Sequence, residues 1–251
     1  MKNNMTEKTP LFYARVIGFG LLIMALAALY ANLFVIERLI IPGDATATVN
    51  NIIANDLSFR FAIACFVIVL VLDVIVSWAL YVLLKRVEKN LALLAALFRL
   101  IYTAVFGAAI FNFLSILQLL REEASLLETN QLQAQVMMLI DAFNNGWIIG
   151  LIFFGFHLLL IGYLVFKSRF MPNILGVLVM LAGIGYLIDS FAKILLPNYA
   201  DYETIFVLIV AIPGAIGELA LAIWLLLKGK KMPEMTPLKE SYEERVHSQN
   251  Q

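Results

Sequence analysis

Charged residues are scarce in this sequence. Only 14% of its 251 residues are Asp, Glu, Lys or Arg, against about 25% in soluble domains. Hydrophobic residues make up 62% of the chain, against about 45–50% in soluble domains, and the mean hydropathy is +0.90. A soluble domain of this length could not cover so much apolar side chain with polar surface. The composition therefore predicts an integral membrane protein, whose main partner is the lipid bilayer.

Cysteine and histidine are almost absent, which excludes several kinds of site. The single cysteine, Cys65, cannot form an intrachain disulfide or a thiolate cluster. The two histidines, His157 and His247, are too few for a histidine-rich metal site, and we predict no metal. The sequence contains no Walker loop, dinucleotide-binding fingerprint or EF-hand, and no basic surface suited to nucleic acid. We therefore predict no nucleic-acid partner, and no cofactor is indicated.

Long apolar runs are abundant, and six of them are long enough to cross a bilayer. The first follows a charged start, as a signal peptide does, but it is too long for one and five more follow, so we predict a retained helix. The predicted fold is all-α, a six-helix transmembrane bundle over residues 14–229, with a short N-terminus at 1–13 and a polar, disordered tail at 230–251. The six spans run from about Ala14 to Ile36, Phe59 to Leu84, Leu91 to Leu120, a start between Met137 and Trp147 to Phe166, Ile174 to Leu196, and Thr204 to Leu227.

Lysine and arginine are distributed unevenly between the two ends of the spans. Of the eighteen, thirteen fall in the N-terminus, in the turns after the second and fourth spans, and in the tail. Three fall in the loops on the other side, and Arg99 and Lys193 lie within spans. The positive-inside rule therefore places both termini in the cytoplasm. An even number of spans also requires both termini on one side, so the two observations agree.

Of the three loops on the outer side, the first two are the longest. In the first, Thr48 to Ile53 could form a short interfacial helix. In the second, residues 122–141 carry apolar residues at helical spacing. They could extend the fourth helix beyond the bilayer or lie on the membrane surface as an amphipathic helix. We favour the extension.

Four ionisable residues form a layer near the middle of the membrane: Asp73, Arg99, His157 and Glu218. Each lies eight to eleven residues from the cytoplasmic end of its span, or about 12 to 17 Å deep. A charge in the bilayer is costly unless it is paired. Because one guanidinium can bind two carboxylates, we predict that Arg99 pairs with one or both acids of this layer.

Other polar residues lie near this layer. Ser77, Tyr102 and Thr103 lie about one turn from Asp73 or Arg99 and could complete their hydrogen bonding. Pro213 precedes Glu218 and is expected to free backbone carbonyls near it. Two interpretations stay open: a structural clasp that fixes helix register, and a ligand pocket or ion pathway. For His157 alone, a structural hydrogen bond is favoured over metal binding or proton transfer.

A second polar group lies nearer the outer interface, in the fifth span. Asp189 and Lys193 have the i, i+4 spacing of a helical ion pair, with the acid N-terminal. Lys193 stands near the helix end, where its ammonium can reach the interface. The Asp189–Lys193 pair is thus mostly explained as a feature of the helix end. Asn112, Ser115 and Gln118 on the third span could face Asp189 and form an outward-facing polar patch, although helix–helix hydrogen bonds are favoured for them. Asp189, beside Ser190, stays a candidate for an outer gate.

Several phrases resemble one known family. These are "IIPGDATAT", "LALLAALFRLIYT", "GELALAIWLL" and the long stretch "GLIFFGFHLLLIGYLVFKSRFMPNILGVLVMLAGIGYLIDSFAKILLP". They are similar to the bacterial family catalogued as domain of unknown function 4386, and the resemblance covers about Ala14 to Lys228. It implies a multi-pass bacterial membrane protein, and it transfers no activity, cofactor or catalytic residue. We predict that this membrane is the cytoplasmic one.

These features favour binding or moving a small ionic or lipid-like ligand through a mid-membrane polar pocket, rather than an enzymatic role. The alternatives are an intramembrane enzyme acting on a lipid, and a non-catalytic sensor or partner subunit whose charges are a clasp. The route into the polar layer separates them. A cavity that opens sideways to lipid favours a lipid binder or enzyme, whereas one that joins an aqueous face favours transport.

Overall fold

The structure is a computed structural model that describes residues 10–122 and 128–229. The predicted disordered tail at 230–251 lies outside the described residues. Within the described ranges the chain forms seven helices and no strand. They are α1 (Pro10–Leu39), α2 (Ala45–Ala54), α3 (Asp56–Leu84), α4 (Lys89–Glu122), α5 (Thr129–Lys167), α6 (Asn173–Leu195) and α7 (Glu203–Lys228).

All the helices except α2 are long and apolar enough to cross a membrane, which confirms the predicted six-span bundle. The predicted ends of the spans fall within a few residues of the observed ends, apart from the start of α5. The short α2 includes the predicted interfacial helix at Thr48 to Ile53. Large apolar side chains such as Leu26, Phe111 and Leu227 are exposed on the outside of the bundle. This is the pattern expected where the solvent is lipid.

Helix α1 changes its hydrogen-bond pattern partway along. It is α-helical over Pro10–Leu29, π-helical over Tyr30–Ile36, and ends in one further turn at Glu37–Leu39. Within the π-helical segment, Asn32 donates from its side-chain nitrogen to the Ala28 carbonyl at 3.2 Å. A π-helix is rare and often occurs at a functional site.

The loop after α1 is ordered by side-chain caps. Gly43 has φ +79°, a backbone conformation that favours glycine. Asp44 then caps α2 by accepting a hydrogen bond from the Ala47 amide at 2.8 Å. The hydroxyl of Thr48 accepts from the Ile41 amide at 2.9 Å, so α2 is tied back to the end of α1.

Helix α5 is longer than a bilayer requires. Its 39 residues span about 58 Å, nearly twice the thickness of about 30 Å of a hydrocarbon core. Residues 129–141 belong to this single helix, as the favoured extension predicts, and residues 123–127 of that stretch lie outside the described residues. The outer part of α5 packs against α2, and Val49, Ile52, Val136 and Ile140 are buried there.

The six long helices form a closed ring, because each packs against the next along the chain and α7 returns to α1. The two described ends of the chain meet: a β-carbon built on Gly229 would lie 2.8 Å from the Ala14 side chain. Both ends therefore lie at one face of the bundle, which we call the basic face. It also holds the turns that follow Leu84 and Lys167. The opposite face carries α2.

Helices α5 and α6 approach most closely through glycines. A β-carbon on Gly162 would lie 2.7 Å from the Gly176 carbonyl oxygen, and one on Gly183 would lie 2.8 Å from the Gly155 carbonyl oxygen. The two pairs lie two helical turns apart, so the backbones are in contact over that length. These four residues form the glycine interface. Because glycine has no side chain, membrane helices can pack by direct backbone contact at glycine positions.

Aromatic rings fill the bundle between α3, α4 and α5. Phe113 and Phe143 stack with their centroids 3.9 Å apart, and Phe66 meets Phe106 edge to face at 5.4 Å. Aromatic pairs at these distances contribute stability beyond the area they bury. This side of the ring is therefore densely packed, and open space is left on the side of α1 and α7.

Candidate functional site

Three of the four predicted mid-membrane residues form one buried cluster. Arg99 on α4 contacts the same carboxylate oxygen of Asp73 on α3 twice, from Nε at 2.8 Å and from Nη2 at 2.6 Å. Its Nη1 lies 3.1 Å from Nε2 of His157 on α5. All three side chains are at most 1% exposed. The predicted pairing of Arg99 with a carboxylate is therefore seen for Asp73, and the cluster joins three helices.

The hydrogen bonds of His157 fix its tautomer. Its Nδ1 lies 2.8 Å from the Ala95 carbonyl oxygen, which can only accept, so Nδ1 carries the proton. Its Nε2 faces the Arg99 guanidinium, which can only donate, so Nε2 is the acceptor. The ring is neutral with both nitrogens engaged. His157 therefore makes structural hydrogen bonds, as the sequence favoured.

The predicted supporting residues Ser77 and Thr103 do not complete the hydrogen bonding of the cluster. Ser77 donates to the Ala96 carbonyl oxygen at 3.1 Å, and Thr103 donates to the Arg99 carbonyl oxygen at 2.8 Å. Hydroxyls on helices often bond to backbone carbonyls in this way. The second carboxylate oxygen of Asp73, Oδ2, is buried and has no hydrogen-bond partner among the described residues.

A cavity of about 580 Å³ lies beside this cluster, and helices α1, α3, α4, α5, α6 and α7 all contribute to its wall. Asp73, Tyr102, Tyr186 and Glu218 supply most of its polar groups. The apolar remainder comes chiefly from α1, α5 and α7. Its other lining residues include Met24, Ala25, Leu26, Leu29, Asn32, Trp147, Phe154, Ala211, Ala215 and Leu219.

The cavity opens between α1 and α7. Six of its lining residues are also exposed on the outside of the bundle, and we call them the rim: Ala25, Leu26 and Leu29 on α1, and Ala211, Ala215 and Leu219 on α7. Nearer the basic face the same two helices touch, because a β-carbon on Gly18 would lie 2.9 Å from the Ala222 carbonyl oxygen. The rim is wholly apolar. The cavity thus opens sideways, toward the region that lipid occupies.

Glu218 belongs to the cavity and not to the buried cluster. It is partly exposed and makes no hydrogen bond or salt bridge within the described part of the chain, although it lies close enough to Arg99 to interact with it electrostatically. Arg99 therefore pairs with one acid and not both. His157 does not line the cavity. Among the described residues, no group of three or more His, Cys, Asp or Glu is placed to hold a metal ion.

Met24 and Tyr186 are among the cavity residues that were not predicted from the sequence. The Met24 sulfur lies 3.9 Å from Arg99 Nη2, which brings α1 into contact with the cluster. Tyr186 packs edge to face on Phe154 at 5.3 Å. Of the predicted residues, Tyr102 also lines the cavity and packs on Phe154 at 4.8 Å.

Proline shapes α7 near Glu218. Pro213 has no N–H, so the Ile209 carbonyl oxygen loses its helical donor. That oxygen lies against Gly185 of α6, where a built β-carbon would be only 2.6 Å away. One turn later, Gly214 faces the Tyr186 hydroxyl, with 3.3 Å between that oxygen and a built β-carbon. The small residues hold α7 close to α6 and place Glu218 at the cavity.

The predicted outer polar group is a helix end. Lys193 contacts Asp189 at 2.9 Å, and the Tyr199 hydroxyl donates to the other oxygen of Asp189 at 2.6 Å. The Lys193 ammonium also lies 5.4 Å from the centre of the Tyr199 ring. These contacts join the end of α6 to the turn before α7.

The described residues do not join Asn112 to the Asp189 group. Asn112 donates to the Ala109 carbonyl oxygen of its own helix at 3.0 Å, and no hydrogen bond joins it to Asp189 in the described residues. The Ser190 hydroxyl is fully buried without a hydrogen-bond partner among those residues.

Replacing Tyr199 with phenylalanine is expected to lower the free energy of unfolding by about 1.5–3 kcal/mol, because the lost hydrogen bond reaches a carboxylate. Thermal unfolding in neutral detergent measures the change. Tyr202→Phe is the matched control, since Tyr202 lies in the same turn and is 47% exposed. Equal effects of the two substitutions would show that the contact with Asp189 does not stabilise this turn.

Comparisons with known proteins identify a family and a relative of this chain. A family model described as "Domain of unknown function (DUF4386)" matches residues 16–229. A protein of Archaeoglobus fulgidus described as "Uncharacterized protein" is 32% identical over 175 residues, which cover 70% of this chain and 88% of that protein. No solved structure matches.

Proposed function

This chain belongs to the DUF4386 family, and from that premise we propose that it binds an amphiphilic, lipid-like ligand in the cavity between α1 and α7. The family description names no activity, so the proposal is built on the site. The observation that carries it is an apolar rim that leads from the lipid-facing surface to a polar inner end.

The shape of the cavity suits a ligand with an apolar body and one polar group. Its volume of about 580 Å³ lies in the range of about 300–1,000 Å³ that small-molecule sites occupy. Apolar groups can pass the rim without leaving a hydrocarbon environment. At the inner end, Glu218 and Asp73 Oδ2 offer acceptors that the described residues leave unused.

The buried cluster and the cavity have different roles in this proposal. The Asp73–Arg99–His157 contacts use one oxygen of Asp73 and both nitrogens of His157 and hold three helices in register, as in the structural clasp that was one of the two interpretations of the sequence. The cavity adjoins this cluster at Asp73, whose Oδ2 has no hydrogen-bond partner among the described residues. The clasp therefore forms the floor of the ligand site.

We place the protein in a bacterial cytoplasmic membrane with its basic face toward the cytoplasm. Support comes from the excess of lysine and arginine at that face and from the family resemblance. In this orientation the cavity lies between the membrane centre and the outer leaflet, since its lining extends along α1 from Leu21 to Asn32.

Bromine quenching of tryptophan fluorescence tests whether lipid chains enter the cavity. Of the three tryptophans, Trp147 lines it, so a Trp78→Phe, Trp224→Phe background isolates that signal. In vesicles of lipids with brominated acyl chains, we expect quenching of Trp147. Filling the rim with Ala25→Phe and Ala215→Phe should reduce that quenching, because the larger side chains occupy the path.

The matched control places the same changes on the lipid-facing surface elsewhere. Ala64 on α3 and Ala104 on α4 are exposed and do not line the cavity. Ala64→Phe and Ala104→Phe should leave quenching unchanged. If the rim variant is quenched as strongly as this control, lipid chains do not enter through the rim and the proposal is wrong.

A further inference from the structure

We infer that the polar group of the ligand is an organic cation of the alkylammonium class, bound against Glu218 and the aromatic wall of the cavity. The inference rests on the proposed function and specifies the chemistry of its ligand. Two independent observations support it: Glu218 has no ion pair among the described residues, and aromatic rings line the cavity.

The charges around the cavity do not balance. Asp73 is neutralised by Arg99 through two short contacts to one oxygen. Two further donors of Arg99 are directed at His157 and Met24. Glu218 is left without an ion pair in the described residues, at about mid-membrane depth. A carboxylate there is costly unless a positive charge accompanies it.

The described residues that line the cavity include no Lys, Arg or His. Arg99 is not among the residues that line the cavity, and its charge is paired with Asp73. An anionic group would therefore meet the unpaired carboxylate of Glu218 and no cation among the lining residues. A cationic group would supply the charge that Glu218 lacks.

Aromatic rings complete the inner end. Tyr102, Trp147, Phe154 and Tyr186 come from α4, α5 and α6 and line the cavity together with Glu218. Ring faces attract cations, most strongly when water is excluded. Phe154 already shows this preference, because the Arg99 guanidinium carbon lies 5.5 Å from the centre of its ring. Aromatic side chains are the usual recognition groups for quaternary ammonium ligands, and here they share the cavity wall with a carboxylate.

Matched amphiphiles test the inference on the full chain in dodecyl maltoside. Dodecyltrimethylammonium, dodecanoate and dodecanol share one apolar tail and differ in the charge of the polar group. We expect the cation to raise the melting temperature most, with the strongest binding in a titration. Glu218→Gln should weaken binding of the cation at least about tenfold, since a buried charge pair loses one partner.

Glu203→Gln is the matched control, because it makes the same change at the exposed start of the same helix. It should leave binding unchanged. Should Glu218→Gln fail to fold, Trp147→Leu replaces it: this variant keeps the carboxylate, removes one ring, and is expected to weaken binding of the cation selectively. Equal binding of the cation by the chosen cavity variant and the control would overturn the inference.

Different results would contradict the cation preference alone, or both that preference and the binding of amphiphiles in the cavity. If dodecanol and dodecanoate bind as well as the cation, and the rim variant abolishes all three, the cavity binds amphiphiles and the cation preference is wrong. If none of the three binds, or if the rim variant binds them normally, both the cavity function and the cation preference are wrong.

Discussion

Replacing Arg99 with methionine is expected to lower the free energy of unfolding by about 3–5 kcal/mol, the usual effect of removing one partner from a buried ion pair. Methionine fills similar space and removes the charge. The Asp73 carboxylate would then be left unpaired in a site that is 0% exposed. His157 would lose the donor to its Nε2 at the same time. Reversible unfolding in mixed detergent measures the loss.

A second substitution in the same chain distinguishes charge from packing. Asp73→Asn combined with Arg99→Met removes both charges, so we expect it to recover much of the stability lost in Arg99→Met. Arg60→Met is the control, because Arg60 pairs with Asp56 at 2.7 Å on the exposed end of α3 and its loss should change stability very little. Similar losses in Arg60→Met and Arg99→Met would contradict the importance of the buried pair.

Replacing Gly176 with alanine is expected to destabilise the protein by about 3 kcal/mol, at the upper end of the range for overpacked sites. A β-carbon there would lie 2.5 Å from the Phe166 amide nitrogen and 2.6 Å from the Gly162 carbonyl oxygen. Both obstacles are backbone atoms, which cannot rotate away. Helices α5 and α6 would have to separate along the glycine interface, and thermal unfolding should show a large fall in melting temperature.

Gly107→Ala is the matched control for that experiment. Gly107 lies in α4, and a β-carbon there would be 3.5 Å from a methyl group of Leu70, which is ordinary contact. Alanine also favours a helix over glycine by about 0.5–1 kcal/mol. We therefore expect Gly107→Ala to be neutral or stabilising. Equal destabilisation at both positions would show that close backbone contact is not what makes Gly176 sensitive.

The six spans could be predicted because an apolar run of sufficient length has few alternatives in lipid. The start of α5 could not be located so well. Residues 129–136 are largely polar, and their helix is supported by packing on α2, a contact between distant parts of the chain. The π-helical segment at Tyr30–Ile36 was also missed, because hydropathy does not distinguish its hydrogen bonds from those of an α-helix.

The depth of the site in the membrane could be predicted from the sequence, but the direction in which each side chain faces could not. Depth along each span brought Asp73, Arg99 and His157 to one level, and neutralisation of charge indicated the ion pair. The direction in which Glu218 faces depends on the rotation of α7 against its neighbours, which one sequence does not give. Tyr186 carried a weak signal: it lies 13 residues after the start of α6, far from the interface where membrane tyrosines concentrate.

The Asp73–Arg99 pair also bears on how the chain enters the membrane during synthesis. A single charged residue at the centre of an inserting helix costs about 2.5–3.5 kcal/mol. Helices α3 and α4 each carry one and are joined by a short turn at residues 85–88. Inserting them as one hairpin lets the carboxylate and the guanidinium neutralise each other before either meets hydrocarbon alone. The salt bridge thus favours cotranslational insertion of the second and third spans as a unit.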